Sequence, residues 1–479
     1  MMMYRLSDLQ AHTSVNDCWV AIHGHVYDVT RFLPAHPGGK AIILKHAGTD
    51  ATSAFEAVHP REILHEYLRS EQLLGPVEVE PQFTIDPNTP RRETKTDTEA
   101  NGPSPADVPL NAILSLAEME ALALDRLSPK AISYYASGTD DEITKSANGT
   151  IYRSMLLRPR VFVDCSTCDI STTILGNRVG LPVFVAPAAM AKLAHPSGEA
   201  GIASACSGFK ALQIISKNAS MSVTDIVRAG PDAVFAWQLY VLKDLAATER
   251  TLAMIRKIPQ LKFIVLTLDA PFPGKREADE RFKAAEVAAG TSGPQVWGTE
   301  AGLTWEKTLL WLRKHTDLPI VLKGVQTWED AAMAARYSPA VRGIILSNHG
   351  GRALDTATTP VQVLLEIRKF VPWVFEAIEV FVDGGIKRGT DVVKALALGA
   401  RGVGIGRAAL YGLGLGGEAG VRRTLEILAE EIATAMRLLG VSKVDELGPQ
   451  HVNTAALDAL LYDGPAEAGL LDAGMRAKL

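Results

Sequence analysis

The chain has 479 residues, more than one ordinary domain holds, so two or three domains are expected. With 47% hydrophobic and 22% charged residues it has the composition of a soluble globular protein. A net charge of −5 gives no support for nucleic-acid binding, and no apolar run approaches membrane-spanning length. Cys18, Cys165, Cys168 and Cys206 make no disulfide framework, and Cys165-x-x-Cys168 lacks a second pair or nearby histidines for zinc.

Residues 1–75 read as a compact unit. Two short strands, Trp19–Ile22 and Val26–Val29, flank a turn at His23-Gly24-His25. The stretch Phe32–Gly39 then runs F-L-P-A-H-P-G-G, in which Pro37 and two glycines fix a tight loop that leaves His36 projecting. A helical run, Lys40–Ala47, follows, and His59 closes the phrase F-E-A-V-H. Two histidines on separate loop–helix corners across an apolar slot supply both axial sides of a six-coordinate haem iron. On these motifs the segment resembles a cytochrome b5 domain. That resemblance implies haem b with His36 and His59 as axial ligands, a centre that passes electrons and leaves no open position for bond chemistry.

Residues 76–109 lose apolar periodicity and are rich in Pro, Thr, Glu and Asp, which reads as a flexible linker. Regularity returns at Leu110. Eight short apolar runs follow, separated mostly by helical patterns: Pro182–Ala186, Leu212–Ile215, Val234–Trp237, Phe263–Leu266, Ile320–Leu322, Ile344–Leu346, Val380–Val382 and Val403–Ile405. Nearly all end on a group able to touch a ligand: Pro187, Ser216, Gln238 with Tyr240, Thr267 with Asp269, Lys323, Ser347 with His349, Asp383-Gly384-Gly385, and Gly406-Arg407. That order predicts an α/β fold, a (β/α)8 TIM barrel with its site at the carboxyl ends of the strands, preceded by the small α+β haem unit. The last two loops lead into predicted helices, the first of them Gly389–Leu398, and their glycines with Arg407 suit a phosphate.

The central stretch is Gly343–Asp355, G-I-I-L-S-N-H-G-G-R-A-L-D, an apolar strand that stops on an ionisable cluster. Burying that cluster without partners would be costly, so it belongs to a site. Together with Y-Y-A-S-G at 134–138, A-P-A-A-M at 186–190, Q-L-Y at 238–240, T-L-D-A-P at 267–271, L-K-G-V at 322–325, D-G-G at 383–385 and G-I-G-R at 404–407, it resembles the FMN-dependent α-hydroxyacid oxidase and dehydrogenase family. The resemblance covers nearly all of 110–460. It implies His349 as the base, Asp269 as its partner, Arg276 and Arg352 as the carboxylate clamp, and Tyr134 and Tyr240 as hydrogen-bond donors to substrate. It further implies Lys323 beside the flavin N1/O2 edge. Pro187, Ala188, Ala189, Ser216, Gln238, Thr267 and Ser347 would contact the flavin or ribityl, with Asp383, Gly384, Gly385, Lys387, Gly406 and Arg407 near the phosphate.

Three positions depart from the family pattern. Ala188 stands where a Thr is usual, and Lys387 replaces a common Arg, which keeps charge and loses the fork. Asn218 falls where an apolar residue usually meets the substrate side chain; a buried amide there prefers a hydrogen-bonding partner, so a substrate somewhat larger or more polar than lactate is expected, with lactate still the default. The loop after Glu277, to about residue 302, is expected to cover the site or move. A C-terminal helix is expected over Arg422–Leu439, with the domain running on to residue 479 in a tail that packs or makes oligomer contacts.

A haem unit joined to such a barrel resembles the flavohaem 2-hydroxyacid dehydrogenases. This implies oxidation of an L-2-hydroxy acid, L-lactate by default, with FMN, haem b, cytochrome c or another one-electron acceptor, and a homotetramer. The alternatives are an oxidase that uses oxygen and releases hydrogen peroxide, and a haem-binding module on an inactive barrel. No signal or transit pattern is visible in the first residues, and Ala477-Lys478-Leu479 is similar to a peroxisomal signal. Cytoplasm or peroxisome is therefore expected, whereas the flavohaem resemblance implies the mitochondrial intermembrane space.

Overall fold

The computed structural model describes residues 3–36, 38–56, 58–77, 108–288 and 298–462. Nearly all of the expected linker, Pro37 and the Ala-Lys-Leu terminus lie outside the described residues.

The amino-terminal unit is a four-stranded antiparallel sheet in the order β1 (Thr13–Ser14), β2 (Asp17–Ile22), β3 (His25–Asp28), β4 (Leu73–Pro76). Ile22 pairs with His25, so His23 and Gly24 form a two-residue hairpin loop, and both have positive φ, 50° and 72°. That is the left-handed geometry a two-residue turn needs to match strand twist. Short helices Lys40–Leu44, Thr52–Glu56 and Ile63–Tyr67 cover the sheet, and Val20, Ile22, Val29, Leu33, Leu64 and Leu68 form the buried cluster between them. The first helix stops at Leu44, three residues short of the expected Ala47.

In the second unit, Leu156–Leu157 (β5) pairs with Val452–Asn453 (β16), and Thr172–Ile174 (β6) with Asn177–Val179 (β7). Between them lies a closed barrel of eight parallel strands: β8 (Val183–Val185), β9 (Leu212–Ile215), β10 (Val234–Leu239), β11 (Leu261–Thr267), β12 (Ile320–Val325), β13 (Val341–Leu346), β14 (Glu379–Asp383) and β15 (Gly402–Ile405). Each pairs with the next and β15 closes on β8, as the eight apolar runs predict. Phe184, Leu212, Ile214, Phe263, Val265 and Ile345 belong to a buried cluster of their own, the packed centre such a barrel requires.

Several boundaries differ from expectation. Gln238, Thr267, Lys323 and Asp383 lie within strands rather than past them, because their backbones stay in the ladder: Thr267 is opposite Lys323, and Asp383 opposite Gly404. The segment after Glu277 opens as a helix, Glu277–Ala288, and 289–297 lie outside the described residues. The helix expected at Arg422–Leu439 is the second half of a longer one, Arg407–Leu438, broken at Gly416-Gly417, where Gly417 has φ 57°.

Candidate functional site

The strand-end polar residues form one connected row around the barrel mouth. Ser216, after β9, lies with its hydroxyl 3.3 Å from Gln238 Oε1, while Gln238 Nε2 donates to Thr267 Oγ1 at 3.2 Å. Lys323 Nζ donates to Ser347 Oγ at 2.7 Å and sits 3.3 Å from Asp383 Oδ2 and 3.8 Å from Asp269 Oδ2. Burial opposes the charge on Lys323, but Asp383 and Asp269 outweigh it and raise its pKa. The result is a cation fixed at the centre of a polar row, where protonation is secured by two carboxylates.

His349 stands at the end of β13 with φ 58°, a left-handed conformation that costs a non-glycine residue energy and recurs at functional sites. Its backbone N–H donates to Ser347 Oγ at 3.1 Å, and its Nδ1 lies 2.8 Å from Asp269 Oδ1. The Asp269 side chain is fully buried, its Oδ2 has no hydrogen-bond partner among the described residues, and the imidazole is 28% exposed. Burial alone would raise the Asp269 pKa, yet His349 and Lys323 hold it below the ordinary carboxylate range. Gly324 makes this possible, since a Cβ there would lie 2.5 Å from the Asp269 Cβ.

Arg276 and Arg352 each place the guanidinium carbon 5.4 Å from the centre of the Tyr134 ring. Arg352 Nη1 donates to the carbonyls of Tyr134, Tyr135 and Ser137 at 2.8, 3.2 and 3.0 Å, which holds the fork in one plane. Burial, then the neighbouring Arg276, pull the Arg352 pKa down to about 10. Arg276 is anchored 3.1 Å from Asp279. Two cations this close make a pocket that favours an anion. Tyr240 is raised above the ordinary phenol range, by burial first and the nearby Asp269 second.

Pro187, Ala188 and Ala189 follow β8 and are partly buried. Gly384 and Gly385 carry φ of 99° and 77°, and a Cβ on Gly385 would lie 1.9 Å from the Asn148 carbonyl oxygen. Gly406 precedes the helix that begins at Arg407, and a Cβ built on it meets nothing within 4 Å. Open space at a helix N-terminus fits a phosphate, and the polar row fits the flavin that would extend from it. Arg407 donates to the carbonyl oxygen of Gly350. Two expectations change here. Lys387 lies 2.5 Å from Glu120 Oε2, a partner that competes with any phosphate. Asn218 is exposed, not buried; its N–H donates to Ser216 Oγ and its carbonyl accepts from Met190.

In the amino-terminal unit the rings of His36 and His59 have centres 6.1 Å apart and planes inclined at 73°. Two metal–nitrogen bonds of about 2 Å each bring imidazoles to about that separation. His36 Nδ1 bonds the Gly39 carbonyl at 2.9 Å, which leaves Nε2 for the metal. Burial lowers the His36 pKa, and burial followed by the charge of His36 pulls His59 down to about 4, so both are neutral and able to ligate at pH 7. Phe32 and Phe55 line the rings at 5.7 and 5.3 Å. The residues present fit a bis-histidine haem.

Four contributing side chains were not assigned a role from sequence. Asn148 and Asn348 exchange buried amide bonds of 2.7 and 2.9 Å. Glu199 accepts from the N–H groups of Ala191 and Ser220 and from Ser220 Oγ, tying the loop after β8 to the loop after β9. Asp355, part of the central motif, caps the helix Ile143–Thr150 through the N–H groups of Thr144 and Ile143, a structural task. Only the Gly-Gly-Arg-x-x-Asp phrase hinted at any of these.

Residues 123–454 match the model of the FMN-dependent dehydrogenase family, and residues 5–78 match the cytochrome b5-like heme/steroid binding domain. The L-lactate dehydrogenase (cytochrome) of Saccharomyces cerevisiae is 39% identical over 477 residues, spanning 95% of this chain and 80% of that one. Glycolate oxidase from Spinacia oleracea is 37% identical over 74% of this chain and 98% of its own. A solved structure of a doubly substituted flavocytochrome b2 with pyruvate bound superposes with a TM-score of 0.69 at 38% identity, covering 77% of this chain and 93% of the other. The strand-end row, the histidine pair and these matches agree: the chain belongs to the FMN-dependent dehydrogenase family and carries a cytochrome b5-like haem domain ahead of the barrel.

Proposed function

We propose that this protein oxidises an L-2-hydroxy acid to the 2-oxo acid, in the first instance L-lactate to pyruvate, and delivers the electrons through its haem domain to cytochrome c or a similar one-electron acceptor. The carrying observation is the buried Asp269 on His349 Nδ1, 2.8 Å apart, with Lys323 close behind. A bound FMN would supply a two-electron acceptor for the substrate, and a bound haem a one-electron carrier.

The residues divide the remaining work. Asp269 orients the imidazole with its proton on Nδ1, so Nε2 can accept the proton the substrate gives up, and the same carboxylate stabilises the imidazolium that forms. Arg276 and Arg352, on the Tyr134 ring, bind the substrate carboxylate, with Tyr134 and Tyr240 as hydroxyl donors. Lys323 supplies a fixed positive charge where negative charge accumulates on reduction. Ser216, Gln238, Thr267 and Ser347 would hold the flavin by hydrogen bonds, and Gly385, Gly406 and Arg407 would receive its phosphate.

Support for the dehydrogenase over an oxygen-using oxidase comes from the first unit. His36 and His59 form a complete ligand pair, whereas the glycolate oxidase match leaves about a quarter of this chain uncovered. An anaerobic visible spectrum before and after L-lactate tests the reading. Flavin bleaching followed by reduced b-type haem bands supports it; bleaching with the haem left oxidised and hydrogen peroxide formed in air overturns it in favour of the oxidase.

A further inference from the structure

The haem domain meets the barrel at the corner that carries His59. Helices Thr52–Glu56 and Ile63–Tyr67 bracket that histidine. Glu66 forms an ion pair with Lys217, whose side chains are only 12% and 2% exposed. Lys217 Nζ also lies 5.6 Å from the centre of the Tyr67 ring. The Glu66 carbonyl accepts from Arg250 Nε and Nη2 at 3.2 and 2.6 Å, and the Glu56 carbonyl accepts from Lys192 Nζ at 3.0 Å. Cations of the barrel thus satisfy end-of-helix carbonyls of the haem domain as well as its carboxylate.

The barrel side of this contact is built into the flavin-facing loops. Lys217 lies between Ser216 and Asn218, and its N–H donates to Gln238 Oε1 at 2.9 Å. Lys192 follows the Pro187–Ala189 segment, and its N–H donates to Ser220 Oγ at 3.0 Å. Glu199 laces both loops together. A lysine buried this deeply is tolerable only with a partner, and the partner is on the other domain. When the domains part, both charges return to water. The pair therefore adds little net attraction and instead penalises any docked arrangement that leaves Lys217 buried without Glu66.

We propose that Glu66 and Lys217 are positioning residues: a cross-domain charge latch that selects the docked geometry in which the His36–His59 corner sits over the flavin-facing loops. The inference rests on the proposed electron path from barrel to haem. Its test has a readout that does not depend on that path.

The experiment compares the full-length holoprotein with Glu66→Gln, Glu66→Lys and the double swap Glu66→Lys with Lys217→Glu. Hydrogen exchange is followed in peptides spanning 60–70, 214–222 and 245–255. Stopped-flow absorbance follows flavin bleaching and haem reduction after L-lactate. Glu66→Lys is expected to raise exchange on both sides of the contact and to slow haem reduction by about tenfold or more, with flavin bleaching within about twofold of wild type. Glu66→Gln gives the same pattern more weakly and guards against misfolding of the reversal. The double swap restores protection and rate in part. Unchanged exchange in both single variants, or a double swap no better than Glu66→Lys alone, overturns the latch. Failure of the wild type to bleach with any 2-hydroxy acid would overturn the functional reading while leaving the exchange result to decide the latch.

Discussion

Asp269 Oδ1 lies 2.8 Å from His349 Nδ1, across 80 residues of sequence and across the end of β12, which stands between their strands β11 and β13. The carboxylate has no exposed surface, and its second oxygen faces Lys323 at 3.8 Å. A buried charge is thereby shared between a base that gains a proton during turnover and a cation that stays charged.

Asp269→Asn keeps the shape and removes the charge. Turnover with L-lactate should fall by about 10³–10⁴-fold with a smaller change in KM, since the loss falls on the imidazolium. Steady-state kinetics with an artificial acceptor checks it. The same carboxyl has a native pKa below its unfolded value, so its stabilisation is complete above about pH 4 and disappears as pH falls through the lower native value. Urea unfolding at neutral and acid pH should show the wild type losing more stability on acidification than Asp269→Asn.

Replacing either histidine of the His36–His59 pair should separate the two halves of the molecule. His59→Ala is expected to abolish the b-type haem spectrum, because a bis-histidine iron loses one of its two protein bonds, while L-lactate still bleaches the flavin. Haem content by pyridine haemochrome and flavin bleaching under nitrogen give the two readings. Parallel loss of both would show that the haem domain is needed for the barrel site itself.

Gly385→Ala should strike the phosphate end. Its positive φ and the Asn148 carbonyl 1.9 Å from the added Cβ leave no way to accommodate a methyl without moving backbone. A loss of about 2–4 kcal/mol is expected, with flavin content reduced in the purified protein. Thermal melting and FMN content after denaturation check it; a wild-type melt with full flavin would contradict the close approach.

Asn218→Leu tests substrate choice. Asn218 is exposed on the loop that carries Ser216, whose hydroxyl accepts its backbone N–H, so an apolar replacement should favour lactate over more polar 2-hydroxy acids by about tenfold in relative kcat/KM. A substrate panel with unchanged ratios would remove Asn218 from the specificity account.

The pairing of His36 with His59 and the barrel strands were legible because their signals are local. A His-Pro-Gly-Gly corner, an apolar run of three to five residues, and a polar residue at its end are all written within a few positions, and backbone geometry projects them in a known direction. Strand ends were less legible, since Gln238, Thr267 and Lys323 look like loop residues until a neighbouring strand pairs with them. Asn148 with Asn348, Glu199 with Ser220, and Glu66 with Lys217 could not be read at all. Nothing in the sequence near Lys217 marks it as buried. Its environment is set by a helix 151 residues away, and the cost of removing its charge from water exists only once the two domains meet. Which chemistry this chain carries follows from its local motifs, whereas which charges are paired, and so how that chemistry is held in place, follows from contacts that only folding creates.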